Sequence, residues 1–143
     1  MRAAISFGVL MLATVQASTT GGLNCHAEDE TVTYELRAGI TRGLGSPAFN
    51  FNGRLTIAKG VPEAFRTTIF EAQDLTMYWL DEMRLMLRVH RERRDPNGSV
   101  EIEVMTQVSE EGVYGGQYTI TVDGAVPGGE PVKIIGTNTC WVE

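Results

Sequence analysis

The sequence has few of the residues from which enzymes build active sites. Its 143 residues include two histidines, His26 and His90, and no serine stands in the Gly-x-Ser-x-Gly elbow of a hydrolase. Glycines surround Tyr114, but no helix pattern follows them, as a phosphate-binding loop would require. We therefore expect a protein that is not an enzyme, with no catalytic residue, no cofactor and no metal site.

Basic residues are also scarce, with 12 Lys and Arg against 18 Asp and Glu, for a net charge of −6 at pH 7. Proteins that bind nucleic acids or anionic lipid surfaces carry a basic footprint, which this composition does not supply. The chain is thus predicted not to bind nucleic acid. Hydrophobic residues make up 43% of the sequence, which is enough for one ordinary core.

The sequence has one notable apolar run, Ala3–Val15, and it is shorter than the about 20 residues of a membrane span. Arg2 precedes the run, and Val15-Gln16-Ala17 offers the small residues that a signal peptidase recognises. The pattern predicts a cleaved export signal over residues 1–17, followed by a single β domain over residues 18–143. The expected location is the periplasm or the extracellular space.

The chain has two cysteines, Cys25 and Cys140, which bracket almost all of the predicted mature protein. Cysteines of exported proteins usually pair, because their compartments are oxidising. A Cys25–Cys140 disulfide would require the first and last strands to be neighbours. The alternative is a metal site in which both cysteines act with His26, and with His90 as an optional fourth ligand. Asn24, directly before Cys25, does not fit a lipoprotein cleavage site, so we expect no lipid anchor.

Alternation of apolar and polar residues with a period of two dominates the sequence, which is typical of half-buried β-strands. Turn-forming residues separate the runs, among them Gly43–Pro47, Asp95–Gly98 and Pro127–Gly129. We predict an all-β fold, in which an antiparallel meander of seven or eight strands forms a small barrel or sandwich. Pro62 could also begin one short helical turn. The clearest alternating runs are Val32–Leu36, Phe49–Ile57, Val100–Val104, Tyr118–Val122 and Val132–Ile134.

The stretch over residues 74–94 contains no Gly or Pro and fits two structures. As a helix, it includes many good helix formers. As a hairpin, it has an inward apolar row of Leu75, Met77 and Trp79, a turn at Asp81-Glu82 and a second row over Leu85–Val89. We expect the hairpin, because the second row runs directly into a turn and then into another clean strand.

This stretch also carries a basic run, in which Arg84, Arg88 and His90 would share one strand face. In the functional interpretation, these side chains contact an anion on a partner or on a phosphorylated glycan. The alternative is that Glu101 and Glu103 face them as cross-strand partners. Exposed pairs of that kind stabilise by only about 0–1 kcal/mol. We favour the cross-strand pairs.

Three aromatic residues are candidates for ligand contact. Tyr114 and Tyr118 surround a pair of glycines and could present flat rings to a sugar or a peptide. Trp141 follows Cys140, where it would cover the disulfide or one end of a barrel. In the alternative interpretation, both tyrosines pack on neighbouring strands.

The layout is similar to that of the membrane-bound lysozyme inhibitors of bacterial periplasms, which are small exported β-barrels with a cysteine near each end. The similarity covers architecture alone. The Ser-Gly-x-x-Tyr loop of that family has no counterpart here, because the spacing over Ser109–Tyr114 differs, and Leu23-Asn24-Cys25 replaces its Tyr-x-Cys opening. No functional residue is carried over from the family.

The sequence thus favours a non-catalytic interaction or inhibitor-like protein that presents loops or a sheet edge to another protein or to a cell-envelope component. The alternative function is binding of a small molecule or glycan in the mouth of a β-barrel. That mouth would be lined by Tyr114, Tyr118 or Trp141.

Overall fold

The computed structural model describes residues 20–41 and 46–143, which form nine antiparallel strands and two short 3-10 helices. All nine strands belong to one sheet, which is curled into a half-barrel. The predicted export signal and most of the predicted Gly43–Pro47 turn lie outside the described residues. The strands are β1 (Thr20–Glu28), β2 (Val32–Thr41), β3 (Ala48–Ile57), β4 (Thr67–Phe70), β5 (Leu75–Leu80), β6 (Arg84–Arg94), β7 (Asn97–Glu110), β8 (Val113–Asp123) and β9 (Val132–Val142), and the 3-10 helices are η1 (Glu63–Phe65) and η2 (Ala72–Asp74).

The strands are ordered β4-β3-β2-β1-β9-β8-β7-β6-β5 across the sheet. The chain therefore runs as two meanders. The strands from β1 to β4 lead outward to one edge, and the strands from β5 to β9 return from the other edge to the centre. The segment that contains η2 connects the two edges.

Cys25 of β1 and Cys140 of β9 lie directly opposite each other and form a disulfide with an S–S distance of 2.06 Å. Both side chains are fully buried. The prediction that a disulfide joins neighbouring first and last strands is confirmed. The alternative metal site loses both thiolate ligands, because the two sulfur atoms are bonded to each other. Its two histidines stand on β1 and β6, with three strands between them.

Every second residue of the strands points to the inner face, where the side chains fill the half-barrel. Buried and more exposed residues alternate along β2, and Leu85, Leu87 and Val89 follow the same alternation on β6. Tyr34 and Tyr118 are among the largest fully buried side chains and meet edge to face, with ring centroids 5.4 Å apart. Such a pair stabilises by about 0.5–1.5 kcal/mol beyond the area it buries. The inner face is therefore a packed core.

The all-β, antiparallel class is confirmed, with differences in detail. The sheet has nine strands rather than seven or eight, and its edges β4 and β5 are not paired with each other. The η2 segment contacts both β3 and β6. The helical turn predicted at Pro62 is η1, which this proline precedes. The hairpin interpretation of residues 74–94 is also confirmed, since β5 and β6 pair around the turn at Asp81–Met83.

The turn that follows β6 is shorter than predicted. It comprises Asp95 and Pro96, while Asn97 and Gly98 already belong to β7. Gly98 is required in that strand for space, because a Cβ there would lie 2.2 Å from the carbonyl oxygen of Asp123. Its role is close packing between backbones and not turn formation.

Candidate functional site

Tyr118, one of the predicted ligand contacts, is fully buried and acts as a structural tie. Its hydroxyl donates a hydrogen bond to Oδ2 of Asp29 over 2.5 Å. The ring passes close to Gly136 of β9, where a Cβ would lie 2.4 Å from the hydroxyl oxygen. Burial raises the pKa of Tyr118, and the hydrogen bond from Tyr118 lowers the pKa of Asp29. The side chain thus joins β8 to the turn between β1 and β2.

Tyr114 is 7% exposed, and its hydroxyl donates to the carbonyl oxygen of Asp81 over 2.9 Å. A third tyrosine, Tyr78, also donates a hydrogen bond to a backbone carbonyl oxygen. Its hydroxyl donates to the carbonyl oxygen of Ser46 over 2.9 Å, and burial raises its pKa to about 12. The expectation of a barrel mouth lined by exposed tyrosine rings is therefore corrected, because these rings pack among neighbouring strands.

Arg88 and His90 are paired with carboxylates of β7, as the cross-strand interpretation predicts. The register places Glu103 opposite Arg88 and Glu101 opposite His90. Nη2 of Arg88 lies 2.9 Å from Oε2 of Glu103, and Nδ1 of His90 lies 3.1 Å from Oε2 of Glu101. Arg84 lies further along the same strand, opposite a glutamine. The three side chains of the basic run therefore do not converge on one anion site.

Trp141 lies on the outer face of the sheet, where it is 40% exposed. It does not cover the disulfide, because the neighbouring Cys140 points to the inner face. Its ring packs against the ring of His26 on β1, with centroids 5.2 Å apart. Two depressions, of about 530 and 330 Å³, are both lined by Trp141 and Asn24. Of the three predicted aromatic contacts, Trp141 is the accessible one.

The larger depression, which we call the Trp141 groove, is otherwise lined mainly by polar side chains. Glu35 is held in it by two hydrogen bonds, from Nδ2 of Asn24 over 3.1 Å and from Nε of Arg37 over 2.7 Å. The hydrogen bond from Arg37 holds the pKa of Glu35 below its ordinary value. Arg54 stands opposite Glu35 on the neighbouring strand. Besides Trp141, the lining includes Asn24, His26, Glu28, Glu35, Arg54 and Thr56.

A second surface lies at β5, an edge strand whose outer side is unpaired in the described part of the chain. Its six residues include no charged side chain. The backbone N–H of Asp81 donates to the carbonyl oxygen of Arg84, so by antiparallel alternation the backbone groups of Trp79 also face β6. Those of Tyr78 and Leu80 then face outward. An uncharged, apolar edge is a ready template for another strand.

An apolar patch lies beside this edge on the outer face. Trp79, Met86 and Met105 stand directly opposite one another on β5, β6 and β7, and Met77 shares their face. Trp79 and Met105 are 51% and 54% exposed. Methionine side chains adapt to partners of different shape, and exposed apolar patches mark interaction sites. We call these four residues the methionine patch.

The sequence prediction placed Leu75, Met77 and Trp79 in one inward row, and this is wrong for two of them. A bulge between Leu75 and Met77 adds one residue to β5, so that Met77 and Trp79 point outward while Tyr78 points inward. Where the bulge falls depends on pairing with β6, which the alternation within β5 does not show. The absence of charged residues from β5 is the feature of the sequence from which an open edge that accepts another strand could have been predicted.

Within residues 20–41 and 46–143, no group of three or more His, Cys, Asp or Glu side chains is arranged to hold a metal ion. The same ranges include no helix with the length and apolar character needed to cross a bilayer. No protein-family model matches the chain, no curated protein matches its sequence, and no solved structure matches its fold.

Proposed function

We propose that the chain is an exported, non-catalytic interaction protein that binds an extended segment of another protein at the edge of β5. The observation that carries this proposal is the unpaired, uncharged edge beside the methionine patch. In strand addition of this kind, backbone hydrogen bonds supply affinity and alternate side chains supply specificity. Tyr78 and Leu80 offer the backbone groups, and the methionine patch contacts side chains of the partner.

The charges around β5 indicate the chemistry of the partner segment. Glu71 and Asp74 precede the strand and share Arg91 as an ion-pair partner, which leaves one negative charge in excess there, and Asp81 and Glu82 follow the strand. A segment with an apolar centre and basic residues at its ends complements this arrangement. Two copies of the chain that paired antiparallel about a two-fold axis would instead bring acidic ends together. The proposed occupant is therefore a different protein.

We also propose a periplasmic location for this activity. The Cys25–Cys140 disulfide is compatible with an oxidising compartment, and the export signal predicted over residues 1–17 supports the same location. N-terminal sequencing of the protein purified from its native source tests this point. We expect the mature chain to begin at Ser18, and a chain that retains Met1 would contradict export by cleavage.

Site-specific photo-crosslinking in the native compartment tests the use of the β5 edge. A photoreactive residue replaces Thr76, which is exposed on β5, and in the control it replaces Thr67, which is exposed on the opposite edge strand β4. We expect adducts from position 76 to an extended segment with basic ends. Adducts with a second copy of the chain, equal yields from both positions, or no adduct from position 76 would overturn the proposal.

Matched lysine substitutions then test the edge with the purified partner. Trp79→Lys charges β5, and Ile69→Lys charges β4; both native side chains are 51% exposed and lie on opposite edge strands. Lysine on an edge discourages strand addition. We expect Trp79→Lys to weaken binding by roughly tenfold or more and Ile69→Lys by less than about twofold. Equal weakening by the two variants would count against β5 as the site.

A further inference from the structure

The outer face leaves open space beside Trp141, in the two depressions that this residue lines. Asn24 and Val113 stand directly opposite Trp141 on β1 and β8. Gly22 stands at a diagonal position on β1 and lines the smaller depression together with Trp141, and a Cβ added at this glycine would meet nothing within 4 Å. An indole that is partly exposed and has room beside it can stack on the apolar C–H face of a sugar ring.

The Trp141 groove places hydrogen-bonding groups next to this indole. Asn24, Glu35 and Arg54 stand on the three neighbouring strands β1, β2 and β3. Glu35 is fixed by its hydrogen bonds from Asn24 and Arg37. A carboxylate has about four acceptor positions and a guanidinium has five N–H donors, so both retain capacity for a ligand. Side chains carried by strands hold such an arrangement more rigidly than side chains on loops.

The charges around Trp141 nearly balance, with one negative charge in excess. Glu28, Glu35 and Glu143 carry negative charge, and Arg54 in the groove and Arg37 in the smaller depression carry positive charge. A polyanion would meet a small excess of negative charge here, and a polycation would find an excess of only one charge. A flat aromatic ring flanked by donors and acceptors with so little net charge suits a neutral, hydroxyl-rich ligand.

We propose that this surface binds a neutral oligosaccharide, with one sugar ring stacked on Trp141 and the next hydrogen bonded to Glu35 and Arg54 in the Trp141 groove. The site is distinct from the β5 edge, because β8, β7 and β6 lie between β9 and β5. It therefore goes beyond the proposed function. A chain that uses both surfaces links a partner protein to a glycan.

Tryptophan fluorescence reports on this site directly. The chain has two tryptophans, so Trp79→Phe leaves Trp141 as the sole indole. Chitotetraose, cellotetraose and maltotetraose serve as neutral probes, and tetragalacturonate serves as the anionic probe. We expect at least one neutral tetrasaccharide to shift the Trp141 emission with a micromolar to millimolar Kd. We expect tetragalacturonate to bind at least about tenfold more weakly.

Two variants separate stacking on Trp141 from a nonspecific change in emission. Gly22→Val fills the open space beside the indole without a clash, and valine suits a strand better than glycine. Trp141→Ala removes the stacking ring, and its binding is followed by calorimetry. We expect each variant to lower affinity by at least about tenfold. Thr119→Val, on β8 and away from both depressions, should leave affinity within about twofold.

The unfolding midpoint of each variant establishes that it is folded before binding is compared. Three results would overturn the proposal: no emission shift with any of the neutral tetrasaccharides, preferential binding of tetragalacturonate, or affinity unchanged in Gly22→Val and Trp141→Ala. Each of these results leaves the β5 proposal standing, because the two surfaces share no residue.

Discussion

At the scale of single residues, the hydroxyl groups of the tyrosines explain where these side chains lie. Tyr118, Tyr114 and Tyr78 each donate a hydrogen bond to a group far away in the sequence. A buried hydroxyl needs such a partner, because leaving it unsatisfied costs about 1–3 kcal/mol. In the sequence, the two tyrosines around a pair of glycines indicated that Tyr114 and Tyr118 are candidate ligand contacts. This pattern did not show that Gly136, on another strand, makes room for Tyr118.

Gly136→Ala should destabilise the protein by about 1–3 kcal/mol. The reason is that the new Cβ would lie 2.4 Å from the hydroxyl oxygen of Tyr118, so the ring or the strand must shift. Gly115→Ala is the matched control, since its Cβ would meet nothing within 4 Å. Urea denaturation measures the free energy of unfolding of both variants. Equal values would contradict the packing of Tyr118 against β9.

The hydrogen bond from Tyr118 to Asp29 predicts a pH dependence of stability. It lowers the folded-state pKa of Asp29 below its ordinary value of 3.8. A carboxyl group with a lowered folded pKa contributes stability above its unfolded pKa and loses that contribution as the pH falls through the folded pKa. Tyr118→Phe should therefore be less stable at neutral pH and should lose less stability on acidification. Unfolding free energies from neutral pH down to roughly pH 2 measure this difference. If the unfolding free energies of the two proteins fell equally with pH, the hydrogen bond from Tyr118 would not stabilise the carboxylate of Asp29.

At the scale of elements, alternation predicted most strands, and its failures have identifiable causes. Leu85–Val89 lies in a strand although the surrounding sequence is rich in helix formers. The reason is that its alternation matches a strand with one buried face. The outward turn of Trp79 depends on a bulge that pairing with β6 sets. The Trp141 groove is assembled from β1, β2, β3 and β9, so no local pattern could have grouped its residues.

Asp74→Ala should destabilise the protein by about 1.5–3 kcal/mol by loosening the η2 segment between the sheet edges. Oδ2 of Asp74 accepts hydrogen bonds from the backbone N–H of Glu71 and from Nη1 of Arg91, both over 2.8 Å. Asp74 is 7% exposed, so the substitution removes the buried carboxylate that pairs with the guanidinium of Arg91. Glu35→Ala is the control, because it breaks an exposed pair with Arg37 and should destabilise the protein much less than Asp74→Ala does. Thermal unfolding compares the two. A larger loss in Glu35→Ala would contradict the role of η2.

At the scale of the whole molecule, the two meanders meet along a short ladder between β1 and β9. Its paired residues on β1 cover Leu23 to His26, whereas the pairs between β8 and β9 cover ten residues of β8, Val113 to Val122. The disulfide stands within this short ladder and joins positions separated by 115 residues. The all-β class and the joined ends were predictable from alternation and from two cysteines. The half-barrel was not, because strand order depends on long-range pairing.

The double variant Cys25→Ala, Cys140→Ala should lose about 2–5 kcal/mol of unfolding free energy. In the chain-entropy model, opening so long a loop frees many conformations of the unfolded chain, with an upper figure of about 4.7 kcal/mol. Urea denaturation of the variant, and of the native chain with and without reductant, measures the loss. Unchanged stability in both experiments would show that hydrogen bonding between β1 and β9 holds the meanders together without the disulfide.

The central claim is that β5 accepts a strand from another protein, and hydrogen exchange of the complex tests it most directly. The informative amides are those of Tyr78 and Leu80, which face away from β6. Strand addition predicts that both exchange at least roughly tenfold more slowly in the saturated complex than in the free chain, while the amides of β4 are unaffected. Unchanged exchange at Tyr78 and Leu80 in that complex would contradict the claim.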